Sequence, residues 1–175
     1  MKIVEARVHG LVFEQKSQQH VVVLREADGE RVLPIWIGPG EAMAIQRLIT
    51  EQPFPRPLTH DLIALVIEGL RARVTRVVIA DLRDGTFYAT LLIERDKSVL
   101  SIDARPSDSI AVALRTNAPI FVNDELLQQP PGQEAETGPP APEAPPAPPT
   151  EEEKAEQLRR FLEKLNPEDF GKFQM

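Results

Sequence analysis

Apolar and β-branched residues crowd the stretch from Lys2 to Phe13 and again from His20 to Arg25, which predicts two or three strands at the start of the chain. Asp28-Gly29 marks a hairpin turn, and Arg31 to Ile37 (RVLPIWI) is the next strand. After Gly38-Pro39-Gly40 the period changes. Ala42, Ile45, Leu48 and Ile49 recur at helical spacing, so a helix is predicted from about 40 to 51, closed by Pro53, Pro55 and Pro57. Thr59 is a good N-cap for a second helix, with Leu62, Ile63, Val66, Ile67 and Leu70 on its buried side. Strands resume at 74 to 82, at Thr86 to Glu94 beyond the Asp84-Gly85 turn, and at Ser98 to Asp103. A third helix opens at Pro106, where a missing N–H costs nothing, and runs to about Thr116 before a short strand at Pro119 to Val122.

Residues 32 to 49 laid over 99 to 116 without a gap match at Val32/Val99, Leu33/Leu100, Ile35/Ile102, Pro39/Pro106 and Ala44/Ala111, with Glu41/Asp108 a conservative pair. This order of elements predicts an α+β fold. Its mixed or barrel-like sheet comes from two strand-strand-strand-helix units, with an extra helix between them.

Proline divides the chain. Residues 1 to 129 hold 7 prolines and residues 130 to 175 hold 10, so the predicted domain ends near 129. Residues 130 to 150 carry 9 prolines and no large apolar side chain, the composition of an extended, solvated linker. From Glu151 to Leu165 an acidic first turn precedes a stripe of Leu158, Phe161, Leu162 and Leu165, which predicts an amphipathic C-terminal helix within 151 to 175. Of the formal charge of −7, little belongs to the domain, where 15 basic residues face 17 acidic ones. That argues against binding nucleic acid through bulk positive field, though not through a local patch. Without cysteine, disulfides, thiolate nucleophiles and cysteine-held metals are excluded. The first residues contain no apolar signal region, and no stretch approaches a membrane span, so a soluble cytoplasmic protein is expected, with no membrane partner.

Polar residues gather where the chain enters each helix: Gly38-Pro39-Gly40-Glu41, Thr59-His60-Asp61, and Asp103-Ala104-Arg105-Pro106-Ser107-Asp108. Helix N-termini attract anions, whether ligand phosphates or the protein's own carboxylates, so Glu41, Asp61 and Asp108 have a plain reading as dipole-matched acids. A second reading takes them together. If the strands ending at 37 and 103 are neighbours, their turns form one cleft holding Glu41, His60, Asp61, Asp103 and Asp108. Asp103 and Asp108 would then ligate Mg²⁺ or Mn²⁺. Arg56 and Arg105 would clamp phosphate, unless they form Asp61–Arg56 and Asp103–Arg105 bridges instead. Trp36 has a packing role or stacks a base. Gly-rich phosphate loops, nucleophile elbows and zinc-protease motifs are absent.

Leu33-Pro34-Ile35-Trp36-Ile37-Gly38 with Glu41-Ala42, then Arg56-Pro57-Leu58-Thr59-His60-Asp61, then Asp103 to Asp108 resemble, in order and spacing, the bifunctional nuclease domain family over about residues 1 to 127. The resemblance implies an α+β homodimer acting on DNA and RNA, and points to Glu41, His60, Asp61, Asp103, Arg105 and Asp108. Ser109 stands where similar sequences often have alanine. Two functions follow as expectations: a phosphodiester-hydrolysing nuclease, or a non-catalytic dimeric module with an anion or nucleotide site.

Overall fold

In the computed structural model, residues 2–15, 18–52, 54–130, 156 and 159–160 are described. The predicted linker beyond Pro130 lies outside them, as does the C-terminal helix and tail apart from Glu156, Arg159 and Arg160. Alternation in the first third of the chain produces β1 (Ile3–Glu14), β2 (Gln19–Glu26) and β3 (Val32–Ile37), followed by α1 (Pro39–Ile49) and α2 (Thr59–Gly69). Then come β4 (Arg73–Arg83), β5 (Thr86–Arg95), β6 (Ser98–Ala104), α3 (Pro106–Thr116), β7 (Ile120–Asn123) and a 3-10 turn at Asp124–Leu126.

The fold is α+β. Its sheet has the order β3-β2-β1-β7-β4-β5-β6. Each half is a three-strand meander ending in a helix, as the internal match predicts. β7 lies between the halves, antiparallel to β1 (Ile3 opposite Asn123) and parallel to β4 (Val77 opposite Ile120), which makes the sheet mixed.

The expectation that the strands ending at 37 and 103 are neighbours is wrong: β3 and β6 are the two outermost strands. Flat, they would stand roughly 29 Å apart, six steps of about 4.8 Å. Yet Arg105, next after β6, reaches Glu41 just past β3, and α3 touches β3, β4 and β5 alike. The sheet is therefore open in its hydrogen bonding but curved around α3.

That curvature puts α3 at the centre of the core. Ile110, Ala111, Val112 and Ala113 pack with Ala42 and Ile45 of α1 and with Val22, Leu24, Leu33, Ile35, Val77, Ile79 and Val122 of the sheet. Each large side chain so buried contributes about 1.5–3 kcal/mol. Pro106 starts α3, and Asn117, with φ 52°, ends it in the left-handed conformation. Ser109 is fully buried in this helix, and its hydroxyl finds no hydrogen-bond partner among the described residues. Ser109→Ala should therefore raise stability by about 1 kcal/mol in thermal unfolding; a lowered melting temperature would reveal a partner for the hydroxyl.

A second cluster of Val21, Val23, Val32 and Trp36, with Val12 against it, occupies the other face of β1–β3. Trp36 packs there among aliphatic side chains.

Two local expectations need correction. Leu58, not Thr59, is the N-cap of α2. The supposed buried side of α2 is not buried: Leu62, Val66 and Leu70 are each more than half exposed, and Ile63 is 37 % exposed. Six consecutive apolar residues, Leu62 to Ile67, run round most of the helix, whereas α2 packs chiefly on α3 and β4 among the described elements; Ile67 packs against the core.

Candidate functional site

Each helix carries an acid in its first turn: Glu41 in α1, Asp61 in α2 and Asp108 in α3. Because α3 packs on both α1 and α2, its own first turn is where the three starts meet. Arg105, the N-cap of α3, turns its guanidinium back over that turn. Its Nε donates to Asp108 Oδ2 (2.7 Å), and its Nη2 donates to Asp108 Oδ1 (3.2 Å) and to Glu41 Oε1 (2.8 Å). Glu41 and Asp108 are the two partners of the internal match, so equivalent acids from the two halves grip one arginine.

His60, second residue of α2, completes the cluster with Nε2 at 2.9 Å from Asp108 Oδ1. Burial pushes the Asp108 carboxyl up, but hydrogen bonds from Arg105 and His60 outweigh it and hold the group below the usual carboxylate range. The Asp108 hydrogen bond raises the Arg105 pKa in turn. An ionised Asp108 only accepts, so His60 Nε2–H donates to it. In the neutral ring, Nδ1 is then a free lone pair, and no described residue bonds to it. The His60 side chain is 12 % exposed and that of Arg105 is 50 % exposed, so the cluster opens to solvent on the arginine side.

Asp61 faces elsewhere. Its Oδ2 accepts from Leu58 N (2.7 Å), closing the start of α2, and its Oδ1 accepts from Arg115 Nε. Arg115, whose side chain is only 6 % exposed, also donates to the carbonyls of Ala111 (2.8 Å) and Ala44 (3.4 Å), tying α1, α2 and α3 together. Burial raises the Asp61 pKa, while the Leu58 amide and Arg115 lower it further, for a net depression. A groove of about 440 Å³ lies beside this pair, lined by Leu65, Glu68 and Arg73 among others, and neither His60 nor Arg105 lines it.

Of the residues singled out in the sequence, the structure thus joins Glu41, His60, Arg105 and Asp108. Asp103 lies exposed on β6 opposite Thr90, and Arg56 lies exposed in the α1–α2 loop. Neither forms a hydrogen bond or ion pair with another described residue. The alternative Asp61–Arg56 and Asp103–Arg105 bridges are not formed. Arg115 escaped the sequence reading, because an arginine in a last helical turn looks like a solvated dipole partner; the apolar run Ile110 to Leu114 before it was the available signal.

Among the described residues no group of three or more His, Asp or Glu side chains is spaced to hold a metal ion. The position between Glu41 and Asp108 belongs to the Arg105 guanidinium. The site as built does not fit a divalent cation.

The polar centre of this α+β domain is thus assembled from helix starts, around an aspartate-bound histidine and a half-exposed arginine. The chain matches the family model for the bifunctional nuclease domain over residues 22–134 and belongs to that family. It is 42 % identical over 170 residues to uncharacterized proteins from two strains of Mycobacterium tuberculosis, covering 95 % of this chain and 97 % of theirs. It is also 24 % identical over 130 residues to "Bifunctional nuclease 1" of Oryza sativa subsp. japonica, covering 72 % of this chain and 39 % of the rice protein. No helix among the described residues is long and apolar enough to cross a membrane.

Proposed function

We propose that this protein is a phosphodiester hydrolase acting on DNA or RNA, with His60 as the proton-transferring group. The observation that carries this reading is the 2.9 Å contact between His60 Nε2 and Asp108 Oδ1. Asp108 fixes the tautomer and aim of the imidazole; Nδ1 takes a proton from the attacking water as its oxygen bonds to phosphorus, and the imidazolium gives a proton to the leaving oxygen as its P–O bond breaks. Arg105 contacts the phosphate from the exposed side, and Arg56 approaches from the loop before α2. Asp61 is a positioning residue that holds the start of α2, and hence His60, in place.

The test is cleavage of single-stranded DNA and RNA by highly purified protein, with and without chelator, comparing wild type with His60→Ala. Undiminished cleavage by His60→Ala overturns the reading. Chelator-sensitive cleavage would count against the metal-free His60 route, since the described cluster does not fit the Mg²⁺ or Mn²⁺ expected from the sequence.

A second reading, a non-catalytic binding module, has one observation in its favour: Glu41 and Asp108 both neutralise Arg105, which leaves little net positive field. It is told apart by nucleotide-dependent thermal stabilisation without turnover.

The same proposal includes a homodimer formed through α2. No residue of this helix is buried, and an apolar helix surface of that extent calls for a partner. His60 begins the helix, so a second copy there would wall the cluster. Light scattering should give a dimer for wild type and a 19.5 kDa monomer for Leu62→Glu; equal masses would sink the interface.

A further inference from the structure

We propose that residues 151–165 of this chain dock as an amphipathic helix on the face of β1–β3 that points away from α1 and α3. The strand registers define that face. Val12, Val21 and Trp36 form one row across the three strands, Gly10, Val23 and Pro34 the next, and Arg7, Arg25 and Val32 the third. Two rows are apolar, and the three described helices lie on the opposite face, whose rows are Leu11, Val22 and Ile35, then Val8, Leu24 and Leu33. A sheet with apolar residues on both faces has a covering layer on each, and Val21, Val23, Val32 and Trp36 are buried although the described helices lie on the other side. Gly10 leaves a notch in the middle row: a Cβ built there would meet no described residue within 4 Å.

Three observations select the occupant. First, the described chain ends beside this face, because Gln128 pairs with Val32, each amide donating to the other's carbonyl at 2.8 Å. The 20 residues of 131–150 then reach roughly 60 Å when extended at about 3.1 Å per residue, ample to bring 151–165 back onto the sheet.

Second, the segment has the required pattern. Leu158, Phe161, Leu162 and Leu165 make one stripe. Glu156, Arg159 and Arg160 are helical and exposed, with Arg160 donating to Glu156 Oε1 one turn away (3.2 Å), so the polar side faces solvent.

Third, the charges are complementary. Arg7 and Arg25 stand directly opposite each other, an unfavourable like-charge pair. Arg25 is held by Glu30 at 2.6 Å, whereas Arg7, with a side chain 76 % exposed, has among the described residues a 3.9 Å contact with Glu5. The acidic start of the segment, Glu151 to Glu153, supplies the missing carboxylates at the end of the face where the chain departs.

Trp36 is the only tryptophan in the chain and sits on this face, so its fluorescence reports the cover. In the full-length protein, Phe161→Asp with Leu162→Asp should shift Trp36 emission to the red and raise its acrylamide quenching several-fold, while circular dichroism shows the sheet retained. Both substitutions lie beyond the linker and leave the domain's own packing intact. Unchanged emission and quenching would overturn the proposal.

The cysteine-free sequence allows a second measurement. Val12→Cys is combined in turn with Leu158→Cys, Phe161→Cys, Leu162→Cys and Leu165→Cys under mild oxidation. An intramolecular disulfide in at least one pair is expected. Disulfide-linked dimers would instead make a second copy the occupant, and cross-linking only with a Leu62→Cys control on α2 would place the segment there; either result refutes the assignment.

Discussion

His60→Ala should lower the rate of phosphodiester cleavage by about 10²–10⁴-fold, the range for loss of a positioned general base. The imidazole, 12 % exposed, makes its one described hydrogen bond to Asp108, so its removal costs packing as well as chemistry and the rate is compared on folded protein well below the melting temperature. Asp108→Asn should cost about 100-fold or more by another route: an amide no longer dictates which ring nitrogen carries the proton, and Arg105 loses its two-point hold. Glu41→Gln should do less, because Glu41 reaches the cluster only through Arg105. The pH response has a definite sign. Since the folded-state pKa of Asp108 is depressed, its ion pairs stabilise the site fully above the ordinary carboxylate range and are lost as pH falls through the folded value. Wild type should therefore lose stability on the acid side more steeply than Asp108→Asn. Wild-type rates in an identically purified Asp108→Asn preparation would assign the cleavage to a contaminant.

Arg115→Ala should destabilise the domain by about 2–3 kcal/mol, below the 3–5 kcal/mol for breaking a fully buried pair because Asp61 is a third exposed. The loss is threefold: Asp61 loses its cation, the carbonyls of Ala111 and Ala44 lose a donor, and a void opens where three helices meet. For a domain of this size the melting temperature should fall by about 10 °C or more. Asp61→Asn should fall less and, assayed well below its melting temperature, should keep most of its activity. An Asp61→Asn protein that is folded but inactive would make Asp61 part of the chemistry. An unchanged melting temperature in Arg115→Ala would show that the buried guanidinium holds nothing.

Much of the fold was legible because local chemistry agreed with the final structure. Asp84 and Gly85, with φ 49° and 72°, make the tight turn their residue types announce. Asp96 and Lys97 do the same at 49° and 64° with no glycine to signal it, so only the flanking strands betrayed that hairpin. Pro39 and Pro106 marked two helix starts. What escaped was long-range. Nothing local in Ile37 or Asp103 says that their strands lie at opposite edges of a curved sheet. Equally, the apolar run of α2 looks the same whether it faces a core or a partner. The site was half legible for the same reason: acids at helix starts are visible in sequence, but which of them shares an arginine depends on how the helices cross. Glu41 and Asp108 meet on Arg105; Asp61, one residue from His60, turns away.

β7 is only four residues long, and it alone stitches the two meanders into one sheet. During synthesis the ribosome releases it after every other strand, so neither half can be sealed to the other until residues 120–123 emerge. A nascent chain stopped before that point has unpaired inner edges at β1 and β4, and α3 is what still packs one half against the other. Completion of the sheet is thereby coupled to the last strand made, and a chain truncated ahead of Ile120 exposes two strand edges of the kind that promote aggregation.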